Sequence, residues 1–336
     1  MKVCFKLIRG GSGSDVWTVN LSRELQIQGV ETHVQIFPHG YQFFPQLLKI
    51  ASCDDSADII HTNSWNGFAF EKDAPMVVTE HLMIHGSELD SYKNLPQKIF
   101  HKAVYGFEQK SFKAADQITC VSEHTKQAVK KTFGYDPACI HNGIDTEKFF
   151  PKEIKDNTLD IDKNKTVLLF VGNMTRRKGA DMLPAIMDKL GDKFVLLCAS
   201  GLSKNIKKNV GNIQVIGRLT AEELLSYYNF CDILLFPTRM EGLSLTVLEA
   251  MACARPVVTT NASSMPELII DGSGGFLCGQ DDVDGFVKQI RVLSEDVVLR
   301  KKMGGFNRKR VEEYFSIKKM AEKYRTLYEQ LLKGER

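Results

Sequence analysis

The chain has 336 residues, 43% apolar and 25% charged, a globular composition that excludes disordered and collagen-like classes. Lys+Arg (44) barely exceeds Asp+Glu (41), and a formal charge of +3 lacks the concentrated basic excess of a nucleic-acid binder. No apolar run approaches the ~20 residues that span a bilayer, and the length is that of about two domains.

In chain order, Lys2–Ile8 reads as a strand, too short and too interrupted by Lys6 to serve as a signal-peptide core. Asp15–Gln28 reads as a helix that stops at Gly29, and Glu31–Phe37 as a second strand. Asp58–His61, Met76–Thr79 and Gln117–Val121 follow as short strands. The polar, charge-dense stretch Pro151–Lys165 breaks this pattern as a linker should. Alternation then restarts with strand Val167–Val171, helix Ala180–Leu190 and strand Phe194–Cys198. Ile213–Ile216, Ile233–Phe236 and Pro256–Thr259 are further strands, and Ile317–Leu332 is an amphipathic helix. The alternation predicts an α/β fold of two Rossmann-like domains facing an interdomain cleft. The eight cysteines, Cys4, Cys53, Cys120, Cys139, Cys198, Cys231, Cys253 and Cys278, are dispersed and form no Cys-x-x-Cys pair. They read as reduced thiols of a cytoplasmic protein.

The first strand runs into Arg9-Gly10-Gly11-Ser12-Gly13-Ser14-Asp15 and then a helix. A glycine turn at a helix N-terminus presents backbone N–H groups to an anion. Dinucleotide binding is disfavoured, because Val16 stands where a third glycine belongs and the second strand ends in Phe37-Pro38-His39 without an acidic residue. Two readings stay open: an anion-contacting loop, or a plain turn with Ser14 or Asp15 as helix cap.

The strongest local signal is Pro237-Thr238-Arg239-Met240-Glu241-Gly242-Leu243-Ser244, which leads from an apolar strand into a helix carrying Glu249. Ligands of open α/β sheets bind at such carboxyl ends. Were both glutamates helical, they would lie roughly 12 Å apart, too far to straddle one glycosidic bond as acid and base. They suit two parts of one long ligand, or else a solvated helix start.

Glu241-x7-Glu249, followed by Ala250-Met251-Ala252-Cys253-Ala254-Arg255-Pro256-Val257-Val258, resembles the signature of the retaining GT-B glycosyltransferases, the glycosyl transferases group 1 family. Pro266-Glu267-Leu268-Ile269, Asp271-Gly272-x-x-Gly275, Ala115–Ser122, Asn142-Gly143-Ile144-Asp145 and the Gly10–Gly13 turn extend the likeness over nearly the whole chain. The resemblance implies an acceptor-side domain over 1–152, a donor domain over 153–316, and a helix over 317–336 packing back on the first domain. It implies that Glu241 accepts hydrogen bonds from donor-sugar hydroxyls, near the N–H groups of Gly242, Leu243 and Ser244, and that Glu249 holds the ribose. Lys178, in Gly172-Asn173-Met174-Thr175-Arg176-Arg177-Lys178-Gly179, would neutralise the diphosphate. His81 would lie near the reacting sugar, Gly11 and Gly13 would approach the donor, and Arg218 would pass the nucleotide base. One departure is Asn173, where the family usually carries arginine; Arg177 or Arg176 is left to substitute.

The function implied is transfer of a hexose from a nucleoside diphosphate sugar, UDP- or GDP-linked, to a glycan, lipid-linked or small-molecule acceptor. An epimerase or phosphorylase of the same architecture, or a non-catalytic nucleotide-sugar-binding protein, are the alternatives. No metal cofactor is expected: Asp160-Ile161-Asp162 falls in the linker, and Asp282-Val283-Asp284 precedes a helix as capping residues would. Tyr41, Phe43, Phe44 and Leu47 with Lys49, and the lysines of Tyr92–Lys113, fit a solvated helix packed on the sheet, or peripheral contact with an anionic membrane on its inner face.

Overall fold

The computed structural model describes residues 1–11, 13–48, 56–70, 74–85, 92–93, 95–153, 161–200 and 209–334; Ser12, Lys49, Cys53 and Asp160 lie outside them. Its contacts divide the chain into two compact units, Met1–Gly143 with Ile317–Arg336, and Ile144–Ser316.

The first unit is built from β1 (Lys2–Ile8), α1 (Gly13–Ile27), β2 (Glu31–Phe37), β3 (Ile59–Asn63), β4 (Met76–Glu80), α2 (Leu95–Ala114), β5 (Gln117–Cys120), α3 (Glu123–Phe133) and β6 (Ala138–Cys139). The six strands form one parallel sheet in the order β2-β1-β3-β4-β5-β6. A parallel sheet is covered on both faces, so its central strands are apolar on both sides. Val3, Phe5, Ile59 and Val77 point to one face, beneath Trp17, Leu21 and Leu25 of α1 and Tyr324 and Tyr328 of the C-terminal helix Ile317–Lys333. Ile8, Ile60, Met76 and Val78 point to the other, against Phe112 and Val129. This is the period-two alternation of strand side chains.

The second unit carries β7 (Thr166–Val171), α4 (Leu183–Leu190), β8 (Phe194–Ala199), β9 (Asn209–Val210), β10 (Ile213–Gly217), α5 (Ala221–Phe230), β11 (Ile233–Phe236), α6 (Leu245–Ala252), β12 (Val257–Thr260), α7 (Met265–Leu268), β13 (Gly275–Cys278), α8 (Val283–Glu295) and α9 (Val297–Tyr314). Its seven strands run β13-β12-β11-β7-β8-β10-β9, with only β9 antiparallel to its neighbour. Strand order therefore sets the loops that follow β12, β11 and β7 side by side.

Several expectations shift. The division falls at Gly143/Ile144 rather than 152/153, because 144–152 is tied to the second unit. There Phe149 is buried, Arg308 donates to the Thr146 and Phe149 carbonyls, and the Lys152 N–H donates to Asn229. The helix expected from Ala180 begins at Leu183, after a turn. Asp282 caps α8, its side chain accepting from the Gly285 N–H. Among the described residues, seven cysteines are free thiols, six of them buried.

Candidate active site

The site grows from the loop after β7. Arg176–Lys178 form a single 3-10 turn, closed by Gly179 in the left-handed region at φ 71°. A Cβ on Gly179 would lie 1.8 Å from the Pro237 carbonyl oxygen, so only glycine lets this turn abut the end of β11. At Gly172, a Cβ would lie 2.9 Å from Lys178 Cδ. The Lys178 stem thus folds back across the end of β7. Its ammonium sits 5.1 Å from the Phe236 ring centroid and 3.3 Å from Glu241 Oε1, with the side chain 15% exposed.

Glu241 is held by the loop after β11. Its N–H donates to Ser263 Oγ (3.1 Å) and its carbonyl accepts from Ser264 Oγ (3.1 Å), both from the loop after β12. Arg177 Nη1 donates to Glu241 Oε1 at 3.0 Å and to the Met240 carbonyl at 2.6 Å. The Thr238 hydroxyl lies within reach of the Arg177 carbonyl (3.3 Å) and Oε1 (3.4 Å). Burial alone would raise the Glu241 carboxyl, but Arg177 and Lys178 outweigh it and hold it below the usual range. Of the two arginines proposed to replace the one missing at Asn173, Arg177 turns inward. Arg176 is 66% exposed, near Asp181.

Glu249 projects from α6, which starts after Glu241; the two are not on one helix, as the distance argument assumed. The Tyr228 hydroxyl donates to Glu249 Oε2 at 2.7 Å. Burial pushes the Glu249 carboxyl up to about 7, with the Tyr228 hydrogen bond, Lys148 and Lys178 pulling partly the other way. Gly242, Leu243 and Ser244 are buried at the start of α6, and Ser244 caps it by accepting from the Val247 N–H.

Sequence reasoning missed the brace beneath this site. Arg239, 5% exposed, forks onto both Asp181 carboxylate oxygens (2.7 and 3.1 Å), with Nε on Asp281 Oδ1 (2.8 Å) and Nη1 on the Arg176 carbonyl. Its N–H donates to the Arg177 carbonyl at 2.8 Å. One guanidinium therefore ties the basic turn to the Glu241 loop, a bidentate geometry lysine cannot reproduce. The sequence signal was an arginine two residues before Glu241 in the strand-to-helix loop. Tyr228 gave no signal at all.

Of the other candidates, Arg218 lies in the same unit, and Gly11, Gly13 and His81 lie in the first. Arg218 is exposed in the loop after β10. In the first unit, the N–H groups of Gly10 and Gly11 point at Asp15, with Gly11 N–H to Oδ2 at 2.7 Å. The anion in that turn is thus the chain's own carboxylate, and α1 begins at Gly13 rather than Asp15. His81 follows β4, packs edge-on to Trp17 (4.6 Å between centroids) and donates from Nε2 to Asn63 Oδ1 at 3.1 Å. Burial lowers it to about 4, so it is neutral near pH 7. Among the described residues, no group of three or more His, Cys, Asp or Glu is arranged to hold a metal ion.

Comparison with known proteins gives the family and the fold. The family model for glycosyl transferases group 1 matches residues 165–296, and that for glycosyltransferase family 4 matches 35–148. The uncharacterized glycosyltransferase MJ1178 of Methanocaldococcus jannaschii is 30% identical over 255 residues, covering 74% of this chain and 68% of that protein. Alpha-maltose-1-phosphate synthase of Mycobacterium tuberculosis is 25% identical over 84% of this chain and 81% of its own. Among solved structures, sucrose-phosphate synthase of Thermosynechococcus elongatus aligns with TM-score 0.84 over 98% of this chain and 99% of that one, at 18% identity. Anabaena HepE, solved with UDP and glucose, aligns at 0.75 over 98% and 100%, at 14% identity. The chain belongs to the glycosyl transferases group 1 family and is a glycosyltransferase of the GT-B fold.

Proposed function

We propose that the chain transfers a hexose from a nucleoside diphosphate sugar to an acceptor hydroxyl, with retention of anomeric configuration and without a metal ion. The observation that carries this reading is the convergence of Arg177 and Lys178 on Glu241 at the carboxyl ends of adjacent strands. Cleavage of the bond between C1 and the phosphate oxygen leaves a diphosphate gaining negative charge. Preorganised cations stabilise such charge strongly when water is excluded. Glu241 pairs with both cations; on donor binding they turn to the diphosphate, and the carboxylate accepts from the sugar hydroxyls. Glu249, buried and already hydrogen-bonded, would take the ribose hydroxyls. The acceptor oxygen then bonds to C1 on the face the phosphate leaves, and its proton passes to the departing phosphate oxygen. The acceptor side is assigned to the first unit, with His81 as a neutral hydrogen-bonding group toward the sugar.

HepE is named with UDP, and a relative from Corynebacterium glutamicum as GDP-mannose-dependent, so either base is in range. Thermal unfolding with UDP, GDP and ADP at equal concentration, with EDTA present, tests the reading. One nucleotide at ~100 times its dissociation constant should add roughly 2.7 kcal/mol. Stabilisation that requires added divalent metal would refute the metal-free part. Nucleotide binding without sugar turnover across a donor screen would favour a non-catalytic binding protein.

A further inference from the structure

We propose that Ser263, together with Ser264, is a positioning clamp that keeps Glu241 aimed at the donor sugar once Arg177 and Lys178 have turned to the diphosphate. Glu241 stands in the loop after β11, yet both of its backbone polar groups are taken by side chains from the loop after β12. The Ser263 hydroxyl oxygen accepts its N–H, and the Ser264 hydroxyl donates to its carbonyl, each at 3.1 Å. Two consecutive side chains from another strand's loop thus fix the residue that carries the carboxylate.

Strain at Ser263 marks the clamp as more than a turn. Among the described residues, three that are not glycine have positive φ: Ala254 at 55°, Ser263 at 50° and Asp281 at 61°. Ala254 follows Cys253, the C-cap of α6, where helices commonly end in this conformation. Ser263 and Asp281 terminate no helix. They stand in the loops after β12 and β13, and each sends its side chain to the site, Ser263 to the Glu241 N–H and Asp281 to Arg239. A left-handed residue that carries a Cβ is unfavourable, and glycine would hold the same backbone without that cost. Such strain persists where the surroundings over-determine it, and it collects at functional sites. At position 263 serine supplies what glycine cannot, an acceptor for the Glu241 N–H.

The contacts that survive donor binding set the role. The Glu241 carboxylate is held by Arg177 Nη1 and the Lys178 ammonium. Donor binding as proposed above, on which this step rests, moves both cations to the diphosphate. The serine contacts are to the backbone of Glu241 and not to its carboxylate, so that exchange does not surrender them. Ser263 and Ser264 therefore act on the sugar-bound state, whereas a free nucleoside diphosphate meets the cations and does not use Glu241.

Calorimetry on the full chain with UDP, GDP and ADP, and with UDP-glucose, GDP-mannose and ADP-glucose, tests the clamp beside thermal unfolding without ligand. Ser263→Ala and Ser264→Ala should each weaken binding of the nucleotide sugar about tenfold, the scale of one hydrogen bond, and leave the matching nucleoside diphosphate within about threefold. Ser263→Gly should melt about 2 °C or more above Ser263→Ala, because glycine relieves the left-handed backbone, yet bind the nucleotide sugar as weakly. A residue that served only the fold would show binding returning with stability. Recovery of sugar binding in Ser263→Gly, equal losses of nucleotide and nucleotide sugar, or unchanged binding in Ser263→Ala or Ser264→Ala would overturn the clamp and leave the donor site standing. So would a Ser263→Gly variant that melts no higher than Ser263→Ala. Wild type that binds none of these nucleotide sugars would instead overturn the donor reading, and the clamp with it.

Discussion

At the residue scale, the two glutamates sit in opposite electrostatic situations. Glu241 is held ionised by Arg177 and Lys178, whereas Glu249, among the described residues, has no cation in direct contact and is buried against a phenol. Glu241→Gln should therefore weaken intact donor about tenfold or more, through lost charged hydrogen bonds. The free nucleoside diphosphate should bind as well or better, since both cations are released; calorimetry with both ligands reads the split. For Glu249 the folded carboxyl is raised from 4.5 to about 7. Such a group contributes stability that is present below about 4.5 and lost as pH rises through about 7. Glu249→Gln should leave the melting temperature unchanged at pH 4 and raise stability at pH 8 by up to about 3 kcal/mol. In wild type, donor affinity should fall as pH drops below 7, because the protonated acid loses an acceptor. Tyr228→Phe should move that midpoint to higher pH, since the hydroxyl favours the ionised form.

At the element scale, the basic turn is a rigid part fixed by its neighbours. Gly179→Ala would drive a methyl into the Pro237 carbonyl and separate the turn from β11. Loss of the nucleotide-dependent thermal shift, with destabilisation of about 2 kcal/mol or more, is expected. Arg177→Ala should cost about 10- to 100-fold in nucleoside diphosphate affinity, the scale of a charge-assisted hydrogen bond. Arg176→Ala should stay within about threefold, because that side chain is largely exposed. Equal losses in both would mean that the turn rearranges on binding.

At the scale of the whole molecule, the chain's last helix completes the first unit from the far end of the sequence. Tyr328 hydrogen-bonds His61 Nδ1 at 2.6 Å, and His61 Nε2 meets Thr79 at 2.6 Å, all buried. Burial, with His81 nearby, lowers His61 to about 3, so this network is neutral. A depressed histidine contributes stability present above about 6.5 and lost as pH falls toward its folded value. Tyr328→Phe should cost about 1–3 kcal/mol by stranding a buried ring nitrogen. Removal of 317–336 should expose the Trp17–Leu21–Leu25 face and leave the first unit unable to fold; circular dichroism and tryptophan fluorescence check both.

The sequence by itself determined the α/β alternation in both halves and the loops bearing Lys178, Glu241 and Glu249. Strand alternation and helix periodicity are local patterns, and a motif travels with its own strand-to-helix turn. Tertiary structure decided which side chains meet. The order β12-β11-β7 brings three loops distant in sequence side by side, which selects Arg177 over Arg176, pins Glu241 between serines and sets Arg239 as the brace. It also gave Asp15 to the glycine turn and Tyr228 to Glu249. Such contacts depend on long-range pairing and burial, which no window of neighbouring residues encodes.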